Sequence, residues 1–158
     1  MSTAPYSAAR TMLALPPDPG RVGHDWLGTL GEVPLFEGLS KRHLRRIAKL
    51  ARIRRFVDGS AMVRVGEPGR TFYVLLDGGA KVIRPGRRAV RLGPGAFFGE
   101  MALIDDSPRS ADVVAEGEVL ALTLDRPGFT KLLRAEPALS QALLRTLAAR
   151  LRAAESTD

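Results

Sequence analysis

Asp58 to Gly95 reads DGSAMVRVGEPGRTFYVLLDGGAKVIRPGRRAVRLGPG, and its punctuation decides the fold class. Turn chemistry recurs every seven to nine residues, at Asp58-Gly59, Gly66-Glu67-Pro68-Gly69, Asp77-Gly78-Gly79, Pro85-Gly86 and Gly93-Pro94-Gly95. Short apolar or alternating runs lie between: Ala61 to Val65, Thr71 to Leu76, Lys81 to Ile83 and Ala89 to Leu92. The rhythm continues at Val113-Val114 and from Glu118 to Leu124. Many short strands at this spacing predict a β-sandwich or barrel, not a parallel α/β sheet.

Helical patterns flank this region. Ser40 is a good N-cap, and Leu44, Ile47, Ala48 and Ala51 form an apolar stripe at helical spacing. Near the end, Phe129, Leu132 and Leu133 predict a short helix closed by Pro137. Pro137 also suits the first turn of a final helix, which carries Leu139, Leu143, Leu147 and Leu151. That stripe has two readings, packing on the β-region or forming a homodimer contact. Upstream, Asp25 to Leu30 is a candidate short helix, and the first ~20 residues read as a tail by composition.

The chain has 158 residues, enough for one ordinary domain. It contains no Cys and only two His, His24 and His43, both read as surface residues. A disulfide framework, a Cys-ligated metal and a thiol nucleophile are therefore excluded, and a His-rich metal site is not supported. No segment approaches the length of a membrane span, so a cytoplasmic location is the default expectation. The net charge is +7, and its distribution is uneven. Residues 41–55 hold eight Lys or Arg and no acid, while residues 56–158 hold 14 bases and 13 acids. The cluster is either the solvated face of a helix or a contact for nucleic acid, lipid or an acidic protein surface.

Residues 96–111, AFFGEMALIDDSPRSA, break the strand rhythm. Gly99 follows two aromatics and opens a short helical stretch, which Asp105-Asp106-Ser107-Pro108 ends just before Arg109. Gly99 lets backbone approach a ligand, and the N–H groups that follow it are free to meet an anion. Arg109 adds a planar, charge-assisted fork suited to phosphate. Glu100 would oppose a bare phosphate, but it suits a ligand that also offers a hydroxyl donor.

Phe98 to Ile104, a short spacer, then Pro108-Arg109-Ser110-Ala111 resembles the phosphate-binding cassette of the cyclic nucleotide-binding domain family. The resemblance runs from about Val33 to Ala154. It includes the Pro34-Leu35-Phe36 approach to the first helix, the glycines Gly59, Gly66 and Gly78, and the pair Phe72-Tyr73. It implies an α+β, mainly β fold: an eight-stranded β-roll or jelly-roll barrel with an N-terminal helix, a short cassette helix and two C-terminal helices. The implied boundaries are 1–32 for the tail, 33–154 for the domain and 155–158 for the end.

The resemblance also implies roles. Glu100 would accept a ribose 2′-OH, and Arg109 would bind the phosphate oxygens. Backbone amides around Gly99, Met101, Ala102 and Ser110 would complete the cradle. The purine would lie on Val82, Val90 and Leu92 under a lid from the last helix, somewhere among Leu147, Arg150, Leu151 and Ala154. Arg150 has a second reading, pairing with Glu100. Ser110 tilts the expected ligand to cAMP, with cGMP as the alternative. Ala154 stands where the bacterial catabolite activator reads adenine with a hydroxyl, so that readout does not carry over.

The expected function is a stand-alone, non-enzymatic cyclic nucleotide sensor whose C-terminal helices move with ligand. No cofactor, no metal and no DNA-binding domain are expected. The partners would be the nucleotide, an unidentified effector protein and, on the homodimer reading of the last helix, a second copy of the chain. The alternative is a ligand-free β-roll that binds an anionic partner through a basic helix at 41–55.

Overall fold

The computed structural model describes residues 27–156. The expected tail, His24 and the start of the helix at Asp25 lie outside the described residues. The elements in order are α1 (Leu27–Gly31), a 3-10 turn (Pro34–Phe36), α2 (Lys41–Leu50), β1 (Arg52–Phe56), β2 (Ala61–Val63) and β3 (Thr71–Ile83). They continue with β4 (Val90–Leu92), β5 (Phe97–Phe98), α3 (Glu100–Asp105), β6 (Asp112–Asp125), α4 (Arg126–Ala135) and α5 (Pro137–Ser156).

The fold mixes helix and sheet, and every strand pairing is antiparallel. The path is β1-β6-β3-β4, with β2 also on β6 and β5 also on β3. The sheet has six strands among the described residues, not the expected eight. Two expected boundaries vanish: the runs 71–76 and 81–83 are one strand, and so are 113–114 and 118–124. Asp77-Gly78-Gly79 is not a turn. It is an irregularity inside the β3–β6 ladder, where the register shifts on both sides of Asp77.

That irregularity has a structural consequence. Before it, Phe72, Val74 and Leu76 face one core cluster, and Tyr73 and Leu75 face another. After it, Ala80 and Val82 join Tyr73 and Leu75. The parity of the strand has flipped, as inserting one residue into a period-two element requires. Gly78 makes the flip possible. Its φ is +80°, and a Cβ there would lie 2.3 Å from the Glu118 carbonyl oxygen.

The helices cover the first cluster. Ser40 caps α2 by accepting from the His43 N–H at 3.3 Å, as its position predicts. Leu44 and Ile47 of α2, Phe129 and Leu132 of α4, and Leu139 and Leu143 of α5 pack together there. The α5 stripe divides along its length: Leu147 is half-buried against that cluster, whereas Leu144 and Leu151 are exposed. Glu136, between α4 and α5, is buried and ties α2 down. It meets Arg46 at 3.1 Å and His43, which lies at the surface as expected, at 3.4 Å.

The basic stretch 41–55 is not one helix. α2 stops at Leu50, and Arg52, Arg54 and Arg55 belong to β1, where Ile53 pairs with Leu122. A buried β-branched residue in the ladder overrides the helix-friendly arginines around it.

Gly78→Ala should cost at least about 2 kcal/mol, since the new Cβ adds a backbone clash to a left-handed φ. Gly59→Ala, with φ +82° but open space around it, should cost only about 1 kcal/mol. Urea midpoints of the two variants check this; equal losses would contradict the bulge argument.

Candidate functional site

The site is assembled where β5 passes into α3. Phe97 and Phe98 pair with Val74 and Tyr73 of β3, and the Tyr73 and Phe98 rings stack with centroids 4.8 Å apart. Gly99 follows with φ +92°. A side chain there would press on the Thr71 carbonyl oxygen and on the Arg109 guanidinium, at 2.8 and 2.9 Å. At the far end of α3, Asp106 takes a left-handed φ of 60° and pairs with Arg126 at 3.1 Å. Asp105 accepts from the Ser107 hydroxyl and N–H, which holds its carboxyl below the usual range. This acidic pair shapes the loop, as the sequence suggests.

That loop delivers Arg109 to a defined place. Its N–H donates to the Glu67 carbonyl at 2.8 Å, and its carbonyl accepts from the Gly66 N–H at 2.9 Å. Its guanidinium lies inside, with the residue only 8% exposed. Nη1 donates to the Gly99 carbonyl at 2.9 Å and Nη2 to the Thr71 carbonyl at 2.7 Å. Burial pushes its pKa down, and Arg126 adds to this while Tyr73 and Glu100 oppose it. It stays a cation at neutral pH. Among the described residues, no carboxylate forms an ion pair with it. The Arg109 side-chain hydrogen bonds among the described residues go to backbone carbonyls, which carry no net charge, and account for two of its five N–H donors.

Glu100 presents the complementary feature. It is 3% exposed, and its Oε1 is buried without a hydrogen-bond partner. Such an atom calls for a donor. Its Oε2 lies 3.5 Å from Arg150 Nη1, a long contact. Arg150 is anchored more firmly on Phe97: Nη2 donates to the Phe97 carbonyl at 2.8 Å, and the guanidinium carbon stands 4.4 Å from the ring centroid. The last turns of α5 are thereby docked beside the cassette.

The other expected residues divide. Val82 pairs with Val90 and Ala80 with Leu92, so Val82, Val90 and Leu92 share one sheet face. Val82 is buried, Leu92 half-buried and Val90 exposed. Ala102 is buried, while Met101 and Ser110 are exposed, consistent with positions whose backbone would matter. Leu147 is not brought to the sheet face of Val82, Val90 and Leu92. It packs against the helix-side cluster, apart from the cluster that holds Val82.

Two residues had no local signal that placed them at this site. Arg126, first in α4, donates to the Gly69 carbonyl at 2.9 Å and reaches the Ala102 and Leu103 carbonyls at 3.4 Å. It thus clamps the end of α3. Gly69 sits under the cassette, where a Cβ would lie 2.2 Å from that of Ala102 and 3.3 Å from the Arg109 guanidinium carbon. Only the juxtaposition of distant segments gives either residue a role. No group of three His, Asp or Glu residues that could hold a metal occurs among the described residues.

Known proteins resemble this chain in sequence and in fold. The family model described as "Cyclic nucleotide-binding domain" matches residues 53–136. A cyclic nucleotide-gated potassium channel of Mesorhizobium japonicum is 40% identical over 124 residues, covering 78% of this chain and 34% of the channel. A cAMP-dependent protein kinase regulatory subunit of Hypocrea atroviridis is 34% identical over 104 residues, covering 66% of this chain and 22% of the subunit. The chain thus spans about a third or less of the curated relatives it matches. Among solved structures, the Thermus thermophilus catabolite activator protein aligns with TM-score 0.71 and 32% identity, over 78% of this chain and 61% of that one. The regulatory domain of Toxoplasma gondii PKA, crystallised with cAMP, aligns with TM-score 0.68 and 30% identity, over 79% and 49% respectively. The matched residues run from the edge strand through the cassette to the end of α4 and include Glu100, Arg109 and Arg126. This chain belongs to the cyclic nucleotide-binding domain family.

Proposed function

We propose that this domain binds a cyclic nucleotide, cAMP in preference to cGMP, and converts its occupancy into a change at α5 without catalysing a reaction. The observation that carries the reading is Arg109: a buried cation with no ion-paired carboxylate among the described residues, beside a buried carboxylate oxygen without a donor. A cyclic phosphate with a free 2′-OH answers both needs with one molecule. The phosphate takes the remaining Arg109 donors, with backbone amides around Gly99, Met101, Ala102 and Ser110 completing the cradle. The 2′-OH donates to Glu100 Oε1. The purine lies on the face formed by Val82, Val90 and Leu92. The cAMP-bound state of the Toxoplasma gondii neighbour and the kinase regulatory subunits among the relatives support cAMP.

Arg150 connects the site to α5, because the carboxylate that would receive the ribose is also the one Arg150 approaches. A ligand shifts the position of α5 only by its difference in affinity for the two arrangements. The receiver of the signal is an effector protein or second copy that touches α5, where Leu144 and Leu151 are exposed. A hydrolytic reading lacks support, since an arginine cannot serve as a general base.

Isothermal titration with cAMP, cGMP and AMP tests the reading. Binding of cAMP tighter than about 100 μM, the weak end of small-molecule affinity, is expected. Failure of both cyclic nucleotides at that scale would sink it. Arg109→Ala should weaken binding by about ten- to a hundredfold, as loss of a charge-assisted contact implies. Arg109→Lys keeps the charge but loses the fork, and should also bind measurably more weakly.

Glu100 has a separate signature. The unaltered domain should prefer cAMP to 2′-deoxy-cAMP by about tenfold, and Glu100→Ala should abolish that preference. A preference that survives in the variant would remove Glu100 from the ribose contact.

A further inference from the structure

The cyclic nucleotide site leaves the main concentration of charge unexplained. Lys41, Arg42, Arg45 and Lys49 are the exposed residues of α2, and Arg52, Arg54 and Arg55 are exposed on β1. Glu136 engages Arg46, Glu118 meets Arg55 at 3.7 Å on the surface, and Arg54 lies 5.1 Å from the Phe56 ring centroid. Lys41, Arg42, Arg45, Lys49 and Arg52 have no ion-pair partner among the described residues.

The strand adds what a charged helix lacks, which is direction. Among the described residues β1 pairs only with β6, so Arg52–Phe56 forms a sheet edge. An edge strand turns alternate backbone N–H and C=O groups outward, and an extended segment can add to them. The cations decide which segment. A second copy of the same strand would set arginine against arginine, whereas a strand with acids at alternate positions would place its carboxylates opposite Arg52 and Arg54. The chemistry of the face disfavours other anions. None of the exposed residues of α2 is aromatic or apolar, so α2 gives bases no ring to stack on and lipid no apolar face, and on β1 the half-buried Phe56 ring lies under Arg54.

We propose that the α2–β1 face docks an acidic, extended segment of a partner protein, added as a strand along Arg52–Phe56. The α2 cations draw the segment in, and the backbone of β1 sets its register. This surface is independent of cyclic nucleotide binding, and either activity can fail without the other.

Fluorescence anisotropy with the full chain tests the proposal. The probe is a labelled short peptide of alternating Glu and Val, compared with a charge-matched peptide in which each Val is Pro. The first should bind, and the second should bind at least about tenfold more weakly, because Pro cannot donate to a ladder. Equal binding would reduce the contact to charge attraction and overturn strand addition. Arg52→Gln with Arg54→Gln, which retains the apolar stems, should weaken the Glu–Val peptide about tenfold. It should leave cAMP titration unchanged, which also reports that the variant is folded. Lys41→Gln with Lys49→Gln should weaken it less and mainly at low salt. No binding of the Glu–Val peptide, or tighter binding of duplex DNA or phosphatidylserine vesicles, would overturn the proposal.

Discussion

Arg109 is a cation that the fold has taken out of water, and much of the neighbouring architecture exists to make that tolerable. Burying an unpaired guanidinium costs several kcal/mol unless its donors are met. The structure meets two of them with backbone carbonyls, from Thr71 at the start of β3 and Gly99 between β5 and α3. The requirement propagates. Gly69 and Gly99 lack side chains where one would collide with the guanidinium or its neighbours, and the 64–70 loop pairs with the Arg109 backbone. What the carbonyls cannot supply is negative charge. On the proposed reading an anionic ligand supplies it, and the cost of placing the cation is met during folding rather than at binding.

The long β3–β6 ladder provides the frame. Its irregularity at Gly78 flips the facing of β3, so that Tyr73 and Leu75 before it and Ala80 and Val82 after it line one cluster, while Phe72, Val74 and Leu76 face the helix-covered one. The same strand therefore serves the cassette through Thr71, Phe72 and Tyr73, and the sheet face through Ala80 and Val82. Both halves of the proposed ligand site rest on one rigid element. α5 reaches the cassette through Arg150, and α4 does so through Arg126. The closing helices thus hold both ends of the segment that would receive the phosphate.

The residues of the cassette were legible because their types and spacing are local: Gly99, Glu100 and Arg109 lie within a dozen positions. Ser40 and Pro137 were legible as helix boundaries for the same reason. The count of strands was not. Asp77-Gly78-Gly79 carries the chemistry of a turn, yet the long pairing with β6 keeps β3 running through it. Residues 41–55 misled in the opposite sense, since a continuous basic run crosses from helix to strand once Ile53 pairs with Leu122. Leu147 shared its spacing with Leu139 and Leu143, and it shares their cluster instead of reaching the sheet face of Val82.

By itself the sequence determined the strand-rich class, the helical flanks, the position of the excess charge and the chemistry of residues 96–111, because each depends on neighbours along the chain. Tertiary structure alone decided that Arg109 is buried against backbone carbonyls with no ion-paired carboxylate among the described residues, and that Glu100 keeps one oxygen unpartnered. It also decided that Arg150 docks on Phe97 and that Arg126 holds the end of α3. Those facts depend on desolvation and on carbonyls brought from distant segments. Burial is a property of packing, and packing is set by all the elements together.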